Sequence, residues 1–173
     1  MKKFTALLML ICIALLPLVS NAEVPVITWE EVGAPAVESL GLEGEFKMLP
    51  ELGLAIWVPA TMNYIEPNAE QAAEGAYAVF ADEDCTLFIT ALHQDGMTLD
   101  AFAESAAASG YDAEIVNVNG LYTVTYKDDE SAIGFITLVD TNSNMITFNF
   151  SPLNSDLAQA AFSIIASSLK PAE

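Results

Sequence analysis

The chain predicts an α+β protein built on a mostly antiparallel sheet, a meander plus hairpins flanked by helices. Three observations predict it. Residues 113–150 hold four apolar runs separated only by turn residues, two further strand-turn-strand patterns lie upstream, and helical stretches fall before, between and after them. Connections this short force antiparallel neighbours, and helices so placed can layer on one or both faces, giving an α/β/α sandwich.

Residues 1–22 come first. Lys2 and Lys3 precede an uncharged apolar run that ends at Ser20-Asn21-Ala22, the anatomy of a secretory signal peptide cleaved after Ala22. The run is short for a membrane span, which needs about 20 residues, and it contains Pro17. The expected product is a secreted bacterial protein, free of the membrane once the leader is removed. Losing Lys2 and Lys3 moves the formal charge from −19 to −21 and leaves no arginine. Such a surface repels phosphate backbones and anionic lipid, so nucleic acid and membranes are excluded as partners. Cations or a basic protein partner remain. Cys85 is the one cysteine beyond the leader, so no internal disulfide can form and stability must come from a core.

Residues 23–27 read as a spacer. Thr28 and Glu31 have capping-box spacing before a helix that runs to Leu40, is closed by Gly41 and is kinked by Gly33 and Pro35. Residues 23–44 thus form a spacer and helix, and residues 45–170 one globular domain. In that domain residues 45–49 and 54–58 form a hairpin across Pro50-Glu51-Leu52-Gly53, and residues 60–67 a loop. Asn68 caps a short helix ending at Gly75. Residues 76–81 and 85–92 form a second hairpin across Asp82-Glu83-Asp84. Thr98 caps an amphipathic helix with Leu99, Phe102, Ala103 and Ala106 on one face, ended by Gly110.

Strands at 113–118, 121–127, 131–140 and 145–150 follow. Asn119-Gly120 marks a type I′ turn because both residues tolerate positive φ. Asn154 or Ser155 caps a last helix with Leu157, Ala161, Ile164, Ile165 and Leu169 inward.

Three segments together resemble the PsbP-like family, which includes the Mog-type and bacterial DcrB-like exported proteins. They are the hairpin from Phe46 through Trp57 to Pro59, the central Val118-Asn-Gly-Leu-Tyr-Thr-Val-Thr-Tyr126, and Ile164-Ile-Ala-Ser-Ser-Leu169. The likeness covers residues 45–169. It implies a PsbP-like sandwich and a protein that binds other proteins rather than catalysing. The chain departs from the DcrB-like pattern in lacking a lipobox, and from the family in its acidity.

The reactive residues are few. His93 is the single histidine, with Cys85 on the preceding strand and Asp95 two residues on. Extended geometry sets Cys85 and His93 about 25 Å apart, which defeats a cysteine-histidine pair. Asp140-Thr-Asn142-Ser-Asn144 starts like an EF-hand loop, but Met145 replaces the glycine and Ser151 the bidentate glutamate, so it reads as a hairpin turn. The acidic turns 82–84 and 128–130 would make a cation site only if the fold joined them. Paired carboxylates are too plentiful to single out, and Asn149-Phe-Ser151 is a sequon inside a strand. Trp57 lies on a strand face that is either open for binding or covered by a helix.

No catalytic, cofactor-binding or metal residue is assigned. The expectation is a secreted non-catalytic binding or protein-interaction module. The alternatives are a small extracellular hydrolase using carboxylates and a cation-binding structural protein.

Overall fold

The structure, a computed structural model, describes residues 24–172. The leader expected at 1–22 lies outside the described residues.

Alternating apolar positions and tight turns build the strands as expected, and the meander is complete. β7 (Glu114–Val118), β8 (Leu121–Asp128), β9 (Ile133–Val139) and β10 (Asn144–Ser151) pair in sequence as antiparallel neighbours. β6 (Thr86–His93) pairs with β10, β5 (Ala76–Ala81) with β6, and β4 (Asn63–Ile65) with β5. β4 falls inside the stretch read as loop. Pro59 and Pro67 bracket it, and its three residues are all exposed, so it has no buried face to leave a pattern. The stretch read as a spacer is also a strand. β1 (Val26–Ile27) runs parallel to β7, which makes an eight-stranded mixed sheet ordered β1-β7-β8-β9-β10-β6-β5-β4.

The opening hairpin forms a second sheet. β2 (Gly44–Leu49) and β3 (Leu54–Pro59) pair as expected, and β11 (Lys170–Pro171) adds to β3. This sheet and helix α4 (Asp156–Ser168) cover the inner face of the large sheet. The register places Leu87 and Ile89, Ile136 and Leu138, and Ile146, Phe148 and Phe150 on that face. They pack on Ile56 and Val58 of β3 and on Phe162 and Ile165 of α4. Leu157, expected inward, is exposed, and Phe162 takes the central place instead. Gly134 of β9 leaves room for the Phe162 ring, which a Cβ there would meet at 2.7 Å.

Helix ends follow the expected chemistry with one exception. The Asn68 side chain accepts from Glu70 and Gln71 N–H to cap α2 (Ala69–Ala73), Thr98 caps α3 (Leu99–Ala108) and Ser155 caps α4. Thr28 does not cap. Its hydroxyl donates to Glu31 at 3.1 Å, and residues Trp29–Gly33 form a π-helical turn ahead of α1 (Ala34–Leu40).

The hairpin turn supplies an acceptor to this end of the chain instead. Asn119, at φ 48° beside Gly120 at 90°, takes the type I′ conformation, and its Oδ1 accepts from Trp29 N–H at 2.8 Å. Its Nδ2 donates to the carbonyls of Ser167 (2.8 Å) and Leu169 (2.9 Å).

Replacing Asn119 by glycine keeps the backbone conformation and removes three side-chain hydrogen bonds, so denaturant unfolding is expected to show a loss of about 2–4 kcal/mol. Asn119→Ala should lose roughly 1 kcal/mol more by forcing a Cβ to positive φ. Equal stabilities for wild type and the glycine variant would show that the turn alone matters.

Candidate functional site

The reactive residues do not converge. Cys85 and His93 stand at opposite ends of β6. The Cys85 sulfur lies 3.9 Å from the Pro152 carbonyl, and burial, then Asp82 and Asp84, push its thiol pKa up, away from the nucleophilic thiolate. Both His93 ring nitrogens face oxygens, Nε2 to Asp95 at 2.9 Å and Nδ1 to Asn144 Oδ1 at 3.3 Å. The Asp95 hydrogen bond and then that to Asn144 raise the His93 pKa, since acceptors on both sides favour the imidazolium. The ring is exposed and touches no nucleophile.

The acids build turns. Asp82 Oδ1 accepts from Asp84 and Cys85 N–H while its Oδ2 accepts from the Thr61 hydroxyl. Asp128 Oδ1 accepts from Glu130 and Ser131 N–H. In the hairpin at 140–144, Asp140 Oδ1 accepts from Asn142 and Asn144 N–H and Oδ2 from Asn144 Nδ2. Burial pulls Asp82 and Asp140 up, but these hydrogen bonds together outweigh it, so both end below the usual carboxylate range. Asp128 is lowered by its bonds to Ser131.

The acidic turns 82–84 and 128–130 do share one end of the sheet. In the strand order they sit three spacings apart, about 14 Å. Among the described residues no group of three His, Cys, Asp or Glu side chains is placed to hold a metal ion. Glu114 is the carboxyl pushed up, by burial first and by Asp112 second.

Trp57 is covered, and not by a helix face alone. It is 4% exposed, tilted against Trp29 at 6.0 Å, with Gly44 packed beside its ring, and its backbone N–H donates to Ser168 Oγ at 2.9 Å. The Trp57 strand is therefore no binding face.

Two surfaces remain. Where the two sheets splay at the β4–β5 edge, an open groove of about 530 Å³ is lined by Lys47, Met48, Glu51, Tyr64, Tyr77 and Phe80. Tyr64 is 58% exposed and sits edge-on to Phe80 at 5.7 Å. The groove offers contact area, and its amine, Lys47, is paired with Glu45.

The other surface is the outer face of the large sheet. α3 packs on β7 and β8, with Phe102 on Tyr126 at 6.2 Å, and Tyr126 stacked on Phe135 at 4.7 Å. Beyond α3 the register aligns Phe135 of β9, Asn149 of β10, Phe88 of β6, Val79 of β5 and Ile65 of β4 in one row across the sheet. Phe135, Asn149 and Phe88 are half-buried, Val79 and the neighbouring Thr137 and Thr147 are buried, and only toward β4 does the face open, with Ile65 50% and nearby Leu92 41% exposed. Asn149 Oδ1 is enclosed and has no hydrogen-bond partner.

No charged residue occupies the outer face of β9, β10, β6, β5 or β4. The positions are Ile133, Phe135, Thr137 and Val139; Met145, Thr147, Asn149 and Ser151; Thr86, Phe88, Thr90 and Leu92; Val79 and Ala81; and Asn63 and Ile65. An antiparallel sheet with one solvated face ordinarily alternates apolar and polar residues. Sequence reading missed this face, although the signal was there: in a chain of net charge −19, these runs lack charge at both alternating sets of positions.

No protein-family model and no curated protein matches the chain. Among solved structures, a protein from Bacteroides thetaiotaomicron VPI-5482 superposes with a TM-score of 0.47 and 13% identity, covering 76% of this chain and 50% of that one. The chain thus matches half the length of that protein.

The titrating groups give opposite signs with pH. A carboxylate lowered on folding stabilises above its unfolded pKa of about 3.9, and that contribution vanishes as pH falls through the lower folded value. A histidine raised on folding stabilises below about 6.5 and loses the contribution as pH rises through its higher folded value. The melting-temperature gap between wild type and Asp82→Ala should therefore be full at pH 5–7, reflecting about 1–2 kcal/mol of charge-assisted hydrogen bonding, and close in acid. The gap for His93→Ala should be present near pH 5 and close toward alkaline pH. A His93→Ala gap that grows with pH would contradict the imidazolium assignment.

Proposed function

We propose that this chain is an exported, non-catalytic binding module whose ligand is a protein, seated on the side of the outer face where Phe88 is half-buried and Leu92 and Ile65 are exposed. The observation that carries this is the combination of an uncharged, partly open aromatic row with an acidic surface. Uncovered apolar patches rimmed by polar residues mark interaction sites. A face free of charge suits a docking surface, because each charge buried by a partner would need a partner of its own.

Other features support the same reading. The mature chain has three lysines, Lys47, Lys127 and Lys170, and all are engaged internally. Lys47 pairs with Glu45, Lys127 lies over the Phe162 ring at 5.9 Å, and Lys170 over the Phe46 ring at 4.2 Å. The acidic surface is thus left for an outside partner. The resemblance to the PsbP-like family implies protein binding as well. The leader at residues 1–22 supports export, and among the described residues no helix is long and apolar enough to cross a membrane.

The test compares wild type with Phe88→Thr plus Phe135→Thr, both half-buried and replaced by a residue suited to strands. Immobilised on a column, the wild-type chain should retain specific proteins from an extracytoplasmic fraction, and the variant should lose them. Retention unchanged in the variant, or turnover of model esters and glycosides by the wild type, would overturn the proposal.

A further inference from the structure

The turn that joins three parts of the molecule carries a chemistry of its own. We propose that Asn119-Gly120 is a self-modification site, held inactive by the fold and released when the chain opens, and that its hydrolysis bars the modified chain from refolding.

The reaction needs only this dipeptide, base and water. The Gly120 backbone nitrogen, its proton taken by hydroxide, attacks Asn119 Cγ. The N–C bond forms and the Cγ–Nδ2 bond breaks, closing a succinimide ring across the two residues. Nδ2 regains a proton from solvent and leaves as ammonia. Water then opens the ring at either carbonyl, giving aspartate, or isoaspartate with the backbone routed through the side chain. One amide is exchanged for one carboxylate, with no oxidant or reductant. Glycine favours the attack because no side chain crowds its nitrogen. Asn119-Gly120 is the single Asn-Gly pair in the chain.

The fold holds both reacting atoms. Gly120 N–H is donated to Asn117 Oδ1 at 2.9 Å, so a base must displace that acceptor to reach the proton. On the other side, Asn119 Oδ1 accepts from Trp29 N–H at 2.8 Å, while Nδ2 donates to the Ser167 and Leu169 carbonyls at 2.8 and 2.9 Å. These bonds fix the plane of the amide from two distant segments. Cγ turns toward the Gly120 nitrogen once they are broken, which means parting the hairpin from the π-helical turn and from the end of α4. Release therefore requires tertiary opening, not motion of the turn alone.

The same bonds make the product unsuited to the fold. Aspartate has no donor, so its carboxylate would face the Ser167 and Leu169 carbonyl oxygens with no proton between them. Isoaspartate adds a backbone carbon to a two-residue turn whose length sets Val118 opposite Leu121. An unfolded chain that is chemically altered before it refolds is lost irreversibly. The dipeptide thus converts time spent open into permanent loss.

The test follows amide loss in the purified chain at mildly alkaline pH, in buffer and in guanidinium chloride. Cleavage after Glu114 and Lys127 releases residues 115–127, in which fragmentation mass spectrometry reads Asn119. Asn142, exposed in the β9–β10 turn and followed by Ser143, is the internal reference.

In guanidinium Asn119 should be modified faster than Asn142. In buffer the order should reverse, with Asn119 at least ~100-fold slower than in denaturant. Chains aged in guanidinium and diluted into buffer should fail to recover native near-ultraviolet circular dichroism in proportion to the fraction modified at Asn119. Asn119→Asp, which is one of the two products, should melt roughly 5 °C below wild type.

A smaller slowing in buffer, or an unchanged order of the two asparagines, would show that the bonds do not guard the site and would overturn the proposal. Full recovery of the aged chains, or an Asn119→Asp variant as stable as wild type, would show that the product fits the fold and would overturn the bar to refolding. If Asn119→Asp does not fold at all, the aged wild-type chain decides that point by itself.

Discussion

The fold depends on how Asn119 satisfies three pieces of chain at once. Its N–H donates to the Ile27 carbonyl at 3.0 Å, its Oδ1 accepts from the first N–H of the π-helical turn, and its Nδ2 donates to carbonyls at the end of α4. Helix ends leave backbone groups without internal partners, and a buried end needs them supplied. Two such ends meet here, one needing an acceptor and the other a donor. Asparagine provides both on one short side chain and also tolerates the positive φ of the turn. Aspartate would lack the donor and glycine would lack both. One residue thereby joins the meander, the N-terminal segment and the last helix.

The packing near that junction is correspondingly close. The Trp29 ring lies over Gly33, where a Cβ would meet it at 2.1 Å, and the Trp57 ring lies beside Gly44, where one would meet it at 2.3 Å. Trp29 also packs edge-on to Phe46 at 5.1 Å. The N-terminal turn therefore covers the outer face of the small sheet, while that sheet and α4 cover the inner face of the large one. With those layers placed, α3 packs on β7 and β8 and the short α2 contacts β5. The side of the sheet left exposed is that of Ile65 and Leu92.

The strands and hairpins were legible because each rests on local signals, alternation and turn chemistry within a few residues. Asn119-Gly120 announced its turn in this way. Its side-chain partners lie 48 to 90 residues away, and nothing in the local pattern records them. The same distance hid β1, a two-residue strand whose pairing depends on β7, and it hid the separation of the opening hairpin into its own sheet. Trp57 could be read as covered or open because its cover, Trp29, comes from another segment. Thr28 has a cap's spacing, but its hydroxyl donates to the Glu31 carboxylate and the segment winds as a π-helical turn held from outside by Asn119, which the local pattern does not record.

The acids show why so much charge implies so little chemistry. Asp82, Asp128 and Asp140 hold turns with oxygens that a catalytic or metal-binding carboxylate would keep free, and their lowered pKa values suit a structural role rather than proton transfer near neutrality. Turns lie at strand ends, so building turns from aspartate drives negative charge to the two ends of the sheet and away from its faces. The inner face is uncharged because it is core. The outer face is uncharged too, and packing accounts for its centre, where Thr137, Thr147 and Val79 are buried, but not for its β4–β6 side, where Ile65 and Leu92 are exposed. Charge at the buried centre would need a partner of its own, which the small hydroxyls of Thr137 and Thr147 avoid by hydrogen-bonding each other at 3.2 Å, so the uncharged face is first a consequence of cover and only at Ile65 and Leu92 a feature that cover does not explain.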